Sequence, residues 1–365
     1  MSQPEYKLYG AEVSYFTAKA RAYLRWRGVP FEAVNATRDV YQSVIMPNVG
    51  WPVIPVMKTP DGKIVQDSAD IIKTVEEEAG LSPSVLPQGP LQRFVSELIH
   101  LFADEWLVLP AMHYRWTYNE DWAYGEFGKM SAPDKSPEEQ FKIGAANGER
   151  FKGALPVLGV HPETIPGIEA SYQAFLDEFS AHLTHHAYVF GGRPSLADFA
   201  LIGPLYAHLW RDPKSRDIME ARAPKVADWV HRVNAGEQGE GELLPDDQIP
   251  DTLIPILARQ AREQYPALRQ TLALFDNWAA TAEAESAVPR ALGQIKAEIE
   301  GHTGPAAARS FPLYRLQAAI DVFDAMGPDD QQKTKALLDR IGGQGFESLK
   351  PSKRLTRRNY RLALA

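Results

Sequence analysis

The sequence predicts a mixed α/β domain at the N-terminus followed by a long all-helical region. Short β-forming runs and helix-forming runs alternate over about the first 80 residues. A segment rich in Pro, Ser and Gly, LSPSVLPQGP at 81–90, has the composition of a linker. Beyond it, helical patterns run through almost all of the remaining chain.

The composition excludes several classes of protein. The 365 residues carry a net charge of −8, which argues against nucleic acid as the main partner because phosphate binding needs a basic surface. There is no cysteine, so disulfides, thiolate zinc sites and a thiol nucleophile of the protein's own are excluded, and we expect no metal. Neither a signal peptide nor a membrane-spanning apolar stretch is present, which predicts a cytoplasmic protein.

The N-terminal domain is predicted element by element. Tyr6–Tyr9 is a short aromatic strand, and a helix over about 17–27 ends at Gly28. A second strand over 31–36 completes a strand–helix–strand unit, which is normally a parallel right-handed crossover. Pro-Asp-Gly at 60–62 is turn chemistry that joins two short strands into a β-hairpin, and a helix from about Ser68 follows.

The rest of the chain divides at two polar, Gly- and Pro-rich segments, 81–90 and 236–251. The predicted domains are residues 4–80, a helical domain over 91–235, and a helical C-terminal extension over 250–365. Helices are predicted at 91–109, 138–155, 168–183, 196–209 and 221–233, and in the extension at 253–265, 268–284, 314–325 and 330–341.

The entry to the first helix, SYFTAKAR at 14–21, is the first candidate for chemistry. The first turn of a helix offers unpaired N–H groups and the positive end of a dipole, which together stabilise an anion such as a thiolate. A nearby hydroxyl can donate a hydrogen bond to that thiolate. Ser14 is suited to this role, although a serine at this position also commonly caps the helix. The two roles are compatible.

Three features together resemble the soluble glutathione transferases over roughly residues 4–235. SYFTAKAR resembles the first-helix motif of their serine and cysteine classes, and Ile54-Pro55 resembles the Val-Pro pair before their third strand. QDS at 66–68 resembles the acidic residue and serine that open the next helix, and the predicted β-hairpin separates it from Pro55. In the helical region, RPSLADF at 193–199 resembles their structural S/T-x-A-D motif, with Ser195 and Asp198 at capping-box spacing.

The resemblance implies a thioredoxin-like domain, glutathione as co-substrate, and a homodimer acting in detoxification. It implies that the Ile54-Pro55 bond is cis, that the Ile54 backbone pairs with the cysteinyl unit of glutathione, and that Asp67 and Ser68 hold its γ-glutamyl end. Each motif taken alone also has a purely structural interpretation. Pro55 can be a proline at the start of a strand, and Ser14 and Ser68 can be helix caps.

The sequence also departs from the family pattern. Trp51-Pro52-Val53 replaces a polar anchor that many relatives carry before the Val-Pro pair, and Arg38 is only a candidate for the glycyl carboxylate. Ser14 ranks first as the thiol-activating hydroxyl, with Tyr15, Thr17 and Tyr9 as alternatives (the last at the end of the first strand). Without cysteine, a mixed disulfide between protein and glutathione is excluded.

The second substrate is predicted to meet the aromatic-rich segment 105–127. Candidate pocket residues are Trp106, His113, Tyr114 and Trp116, which suit a flat apolar electrophile. Packing between domains or subunits is an equally good reading of this segment. The adjacent His185 and His186 do not share a helix face, so we predict no metal site there.

The extension is predicted to form a helical lid, with Arg315 as a residue that borders the active site. Its basic end, KPSKRLTRRNYR at 350–361, either binds an anionic surface or, as we prefer, pairs with the protein's own acidic groups.

The leading functional hypothesis is a glutathione transferase that activates the thiol for attack on a hydrophobic, aromatic electrophile. A non-catalytic binding or scaffold protein is the alternative, because the same fold serves both. A glutathione-dependent isomerase or ether-cleaving enzyme would need the same thiol site.

Overall fold

We analysed a computed structural model of the chain, which describes residues 5–79 and 82–365. The predicted limits at residues 4, 80 and 81 lie outside the described residues. Two compact units are present, each built from three segments of sequence. Unit 1 holds the described residues up to Val85, Ala111–Ala154 and Asp198–Glu240, and unit 2 holds Leu86–Pro110, Leu155–Ala197 and Gly241–Ala365. The predicted domain limits remain a prediction.

Residues 5–79 form the predicted thioredoxin-like arrangement. The elements are β1 (Tyr6–Gly10), α1 (Tyr15–Arg27), β2 (Phe31–Asn35), α2 (Arg38–Val40), a π-helical turn (Tyr41–Ile45), α3 (Met46–Val49), β3 (Val56–Lys58), β4 (Ile64–Gln66) and α4 (Ser68–Ala79). The sheet has the order β2-β1-β3-β4, with β1 and β2 parallel and the other pairs antiparallel. Only the helical stretch between β2 and β3 was not predicted.

Helices dominate the middle of the chain, as predicted. They are α5 (Pro90–Glu105), α6 (Val108–Tyr118), α7 (Glu120–Ser131), α8 (Pro137–Lys152), α9 (Leu155–Leu158), α10 (Ile165–His182), α11 (Leu196–Ala207), α12 (Pro213–Arg222) and α13 (Pro224–Ala235). Within unit 1, α7 and α8 approach so closely that a Cβ added at Gly144 would collide with the carbonyl oxygen of Tyr124. Helix α11 begins directly after Ser195, and the Asp198 carboxylate accepts a 3.2 Å hydrogen bond from the Trp229 indole.

The prediction of an all-helical C-terminal extension is wrong in part. It contains the helices α14 (Ile254–Ala279), α15 (Phe311–Ala325) and α16 (Pro328–Arg340), but also two antiparallel hairpins, β5 (Ala291–Ile299) with β6 (His302–Arg309) and β7 (Leu355–Arg358) with β8 (Arg361–Leu364). The predicted helix at 268–284 is the second half of the long α14. Short 3-10 turns cover Asp251–Leu253 and Phe346–Leu349.

Residue alternation explains the first hairpin. Ile295, Ala297 and Ile299 are buried and alternate with exposed neighbours, which is the period of a half-buried strand, and β5 packs against α14. Glu300 and Gly301 link the strands with positive φ angles of 47° and 78°, as a tight type I′ turn requires.

The basic C-terminal segment is paired within unit 2. Arg354 forms two hydrogen bonds of 2.7 and 2.6 Å with the Asp321 carboxylate, and Lys350 Nζ lies 2.6 Å from Asp324. Arg358 lies 2.8 Å from Glu285. The preferred prediction, pairing with the protein's own acidic groups, is therefore confirmed for these three cations.

No helix among the described residues is both long and apolar enough to cross a membrane. In the same part of the chain, no cluster of three or more His, Asp or Glu side chains is arranged to hold a metal ion.

Candidate functional site

Strand pairing brings the three N-terminal motifs to one edge of the sheet in unit 1. Tyr9 near the end of β1 is opposite Val56 at the start of β3, and Val56 is opposite Gln66 at the end of β4. Neighbouring strands lie about 4.8 Å apart. The residues just past these positions, namely the loop to Ser14, the Ile54-Pro55 pair and Asp67-Ser68, therefore leave the sheet side by side.

Ser14 is the N-cap of α1. Its backbone is extended, and its Oγ accepts a 3.3 Å hydrogen bond from the backbone N–H of Thr17. The cap that the sequence predicts is thus confirmed. A hydroxyl has two lone pairs and one proton, so the capping bond leaves the O–H free to donate to an anion at the helix start. Ser14 is half-buried, which leaves it accessible to a small ligand.

The alternative hydroxyls lie deeper in unit 1. Tyr15 is 5% exposed, and its ring packs against the His208 ring with centroids 5.4 Å apart. Thr17 is buried, and its Oγ1 accepts a 3.4 Å bond from the N–H of Ala11, so it holds the exit of β1 in place. Tyr9 lies buried in β1. Of the four candidates, Ser14 is the most accessible.

The Ile54-Pro55 peptide bond is cis, as the resemblance implies. Pro55 is buried and Ile54 is half-buried, directly before β3 begins at Val56. Within the described residues, neither the N–H nor the C=O of Ile54 bonds to another backbone group. Among the described residues, the Ile54 backbone therefore lies outside the hydrogen-bonded ladder of the sheet.

Asp67 has a backbone conformation that is unusual for its residue type. Its φ is 91°, in the left-handed region, which costs of order 1–3 kcal/mol for a residue with a side chain and tends to persist at ligand sites. Its Oδ1 accepts a 2.8 Å hydrogen bond from the N–H of Ala69 and caps α4. This capping bond uses one of the two carboxylate oxygens. Ser68 is buried at the first position of α4.

Arg38 occupies a different place along the same edge. It begins α2, shortly after the end of β2, and its side chain is exposed. In the sheet, β1, which precedes Ser14, lies between β2, which precedes Arg38, and β3, which follows Ile54. Trp51 is half-buried ahead of the Ile54-Pro55 pair. A role for Arg38 at a glycyl carboxylate stays a prediction.

The predicted pocket residues of unit 1 are core residues in the structure, which corrects the prediction that their side chains line a substrate pocket. His113, Tyr114 and Trp116 are 0, 1 and 2% exposed. The Trp116 ring packs on Tyr124 and Phe127 with centroids 5.8 and 5.7 Å apart, and His113 Nδ1 lies 3.0 Å from the Thr117 hydroxyl. These three residues therefore pack in the protein core, which agrees with the alternative interpretation of this segment as packing.

Trp106 belongs to unit 2 and donates a 3.0 Å hydrogen bond from its indole to Glu263. It lines a small cleft of about 40 Å³ with Glu105, Arg309 and mostly apolar side chains of α14 and the first hairpin. Arg315 is buried in the core of unit 2, where its guanidinium lies 2.7 Å from His100 Nδ1 and near Asp104. That it borders the active site stays a prediction.

Two segments of the chain match models of known protein families. A family model described as the glutathione S-transferase N-terminal domain matches residues 8–83, and one described as the C-terminal domain matches residues 162–232. A curated protein of Zea mays named "Probable glutathione S-transferase BZ2" is 32% identical over 116 residues, which cover 29% of this chain and 49% of that protein. The match thus spans about half the length of this relative. The chain is a member of the glutathione S-transferase superfamily.

Solved structures also resemble the chain. The beta-etherase LigF from Sphingobium sp. strain SYK-6 is 21% identical, with a TM-score of 0.47 over 63% of this chain and 95% of that one. A glutathione S-transferase of Ceriporiopsis subvermispora in complex with glutathione is 17% identical, with a TM-score of 0.45 over 66% of this chain and 99% of that one.

The loop before Ser14 is braced by three residues that the sequence did not indicate, Arg115, Asp212 and Glu12. Arg115 donates a 2.9 Å hydrogen bond to the carbonyl oxygen of Val13 and pairs with the buried Asp212. Glu12 pairs with Arg21 and accepts a 2.6 Å hydrogen bond from Tyr206. These partners come from distant parts of the sequence, so no local motif marks them.

Proposed function

We propose that the protein binds glutathione at this edge of the sheet and activates its thiol for attack on a hydrophobic, aromatic electrophile. The observation that supports it is the convergence of a half-buried serine at a helix start, an unpaired backbone beside the sheet and a capping aspartate, all set by the pairing of three strands. The family membership supports the same assignment.

Each motif would bind one part of the tripeptide. Ile54 would pair its N–H and C=O with the cysteinyl unit as an added strand. The start of α4 with Ser68 would hold the γ-glutamyl carboxylate, and the free oxygen of Asp67 would take the ammonium group. The cysteinyl sulfur would then lie at the start of α1, beside the Ser14 hydroxyl.

The chemistry needs only a thiolate and an electrophile. The thiol proton leaves to solvent, the sulfur forms a bond to the electrophilic carbon, and the leaving group departs with the electron pair of its own bond. A thiol with a pKa near 8.5 is about 1% ionised at pH 6.5. Lowering that pKa by two units takes about 2.7 kcal/mol and makes half of the thiol reactive at the same pH.

The experiment titrates the thiol of bound glutathione by thiolate absorbance and measures turnover of a panel of chlorinated and activated aromatic electrophiles. We expect Ser14→Ala to lower kcat/KM about fifty-fold at pH 6.5, with wild type and variant converging above pH 9, because only the thiolate fraction changes.

Two variants separate the hydroxyl from the cap. Ser14→Asp keeps a good N-cap but has no proton to donate, so it should fold like the wild type and still lose the thiolate. Ser136→Ala removes the N-cap of α8, where the Ser136 hydroxyl accepts from Glu139 N–H, and should cost about 1 kcal/mol of stability without moving the thiol pKa. A low thiol pKa that survives in Ser14→Asp would overturn the role of Ser14.

The outcomes also separate the rival functions. Retention on glutathione resin without turnover of any electrophile favours a binding protein, and turnover confined to aryl ethers favours an ether-cleaving enzyme. The predicted cytoplasmic homodimer stays a prediction, which light scattering of the purified chain tests for the dimer.

A further inference from the structure

The buried Arg115–Asp212 pair contacts the loop that carries Ser14. Arg115, on α6, is 2% exposed, and Asp212, directly before α12, is 0% exposed. The guanidinium donates two hydrogen bonds to the Asp212 carboxylate, at 2.8 and 2.7 Å. Burial raises the pKa of Asp212 while the Arg115 charge opposes that rise. This fork–fork geometry fixes the plane of the guanidinium.

The remaining donors of that fixed guanidinium hold two backbone carbonyls. Nη2 donates a 2.6 Å hydrogen bond to the oxygen of Ala207, the last residue of α11, and Nη1 donates a 2.9 Å hydrogen bond to the oxygen of Val13. Val13 directly precedes Ser14. Because a peptide group is planar, a fixed Val13 carbonyl also fixes the orientation of the Ser14 N–H and limits where the Ser14 Cα and Cβ can lie.

We infer that Arg115, held by Asp212, is a positioning residue that sets the Ser14 hydroxyl at the thiolate site. The inference rests on the proposed function of Ser14 and names the group that controls it. A hydrogen bond weakens steeply with misalignment, and a displacement of about 1 Å at a reacting group can cost about 100-fold in rate. The acceptor is the backbone carbonyl of Val13, so a substitution of the side chain at position 13 would not remove this hydrogen bond.

Arg115 is the more informative position to change because lysine cannot reproduce the planar set of N–H donors of a guanidinium group. Arg115→Lys keeps the charge but offers a single point donor, so it cannot hold Asp212 and both carbonyls together. Removing one member of a buried pair is strongly destabilising. The double variant Arg115→Met/Asp212→Leu removes both charges and keeps apolar volume, a replacement that buried pairs often tolerate.

The test titrates the thiolate absorbance of bound glutathione and measures its dissociation constant. We expect the thiol pKa to rise by about one unit in Arg115→Lys and in the double variant, so that the thiolate fraction, and with it kcat/KM at pH 6.5, falls about fivefold. The glutathione dissociation constant should change less than threefold, because the contacts at Ile54, Asp67 and Ser68 are untouched.

Arg259→Met is the matched control, because Arg259 is a buried arginine of unit 2 whose guanidinium lies 2.7 Å from Glu178 and 2.8 Å from Glu263. It should lower the melting temperature without moving the thiol pKa. A wild-type thiol pKa in a folded double variant would overturn the positioning role. Absence of a lowered thiol pKa in the wild type would instead overturn the proposed function.

Discussion

The Glu105 carboxyl gives a stability prediction that can be worked from the structure. Glu105 is the last residue of α5 and is 4% exposed. Burial raises its pKa from 4.5 to about 7, and the neighbouring Asp104 charge adds to the rise, although Arg309 Nη1 lies 2.8 Å from Oε2. Arg309 is partly exposed, so its attraction does not offset the lost hydration.

The sign follows from proton binding. Between pH 4.5 and about 7 the folded protein holds the Glu105 proton more tightly than the unfolded chain does. This group's contribution to stability is therefore complete below pH 4.5 and is lost as the pH rises through 7. A pKa raised by this amount changes the free energy of unfolding by about 3 kcal/mol over the whole titration. About 2 kcal/mol of this stability is lost between pH 5 and pH 8.

Glu105→Gln removes the titrating group and keeps its shape. We expect the free energy of unfolding, measured by urea denaturation at pH 5, 6, 7 and 8, to decline less steeply with pH than in the wild type. The difference in the free energy of unfolding between variant and wild type should shift by about 2 kcal/mol in favour of the variant when the pH is raised from 5 to 8. Glu298→Gln, an exposed carboxylate on β5, should run parallel to the wild type. A Glu105→Gln curve with the wild-type slope would refute the argument from burial.

Two further predictions concern backbone packing and capping. Gly144→Ala should lower stability by about 1–3 kcal/mol, measured by thermal unfolding, because the new methyl group meets the carbonyl oxygen of Tyr124 and forces α7 and α8 apart; an unchanged melting temperature would contradict it. Asp247→Ala should cost about 1–2 kcal/mol, since this carboxylate accepts from the N–H groups of Leu91 and Gln92 at the start of α5, whereas Asp247→Asn should restore part of the loss.

The N-terminal domain could be predicted because its signals are local. Turn residues at 60–62, the glycine that ends α1 and the caps at Ser14 and Asp67 each identify an element from a few neighbouring residues. The helical stretch after β2 was not predicted, since it consists of short turns, including the π-helical Tyr41–Ile45, without a clear apolar period. Its Thr37 cap was the available signal.

The hairpins of the extension were missed although the sequence carries their signals. The alternation from Ile295 to Ile299 and the Glu300-Gly301 turn could have identified β5 and β6. The burial of Trp116 is a different case, because an aromatic run has the same sequence pattern whether it lines a cleft or fills a core.

The candidate site depends on a combination that no single motif contains. Ser14 and Asp67 both act as helix caps, and each would stabilise its helix without any ligand. What makes a site is the pairing of β1, β3 and β4, which brings both helix starts to the same edge as Ile54. Capping uses a lone pair of Ser14 and thiolate binding would use its proton, so the two roles respond differently to the same substitution. An aspartate at position 14 keeps the first role and abolishes the second, and this difference makes the chemical role measurable apart from the fold.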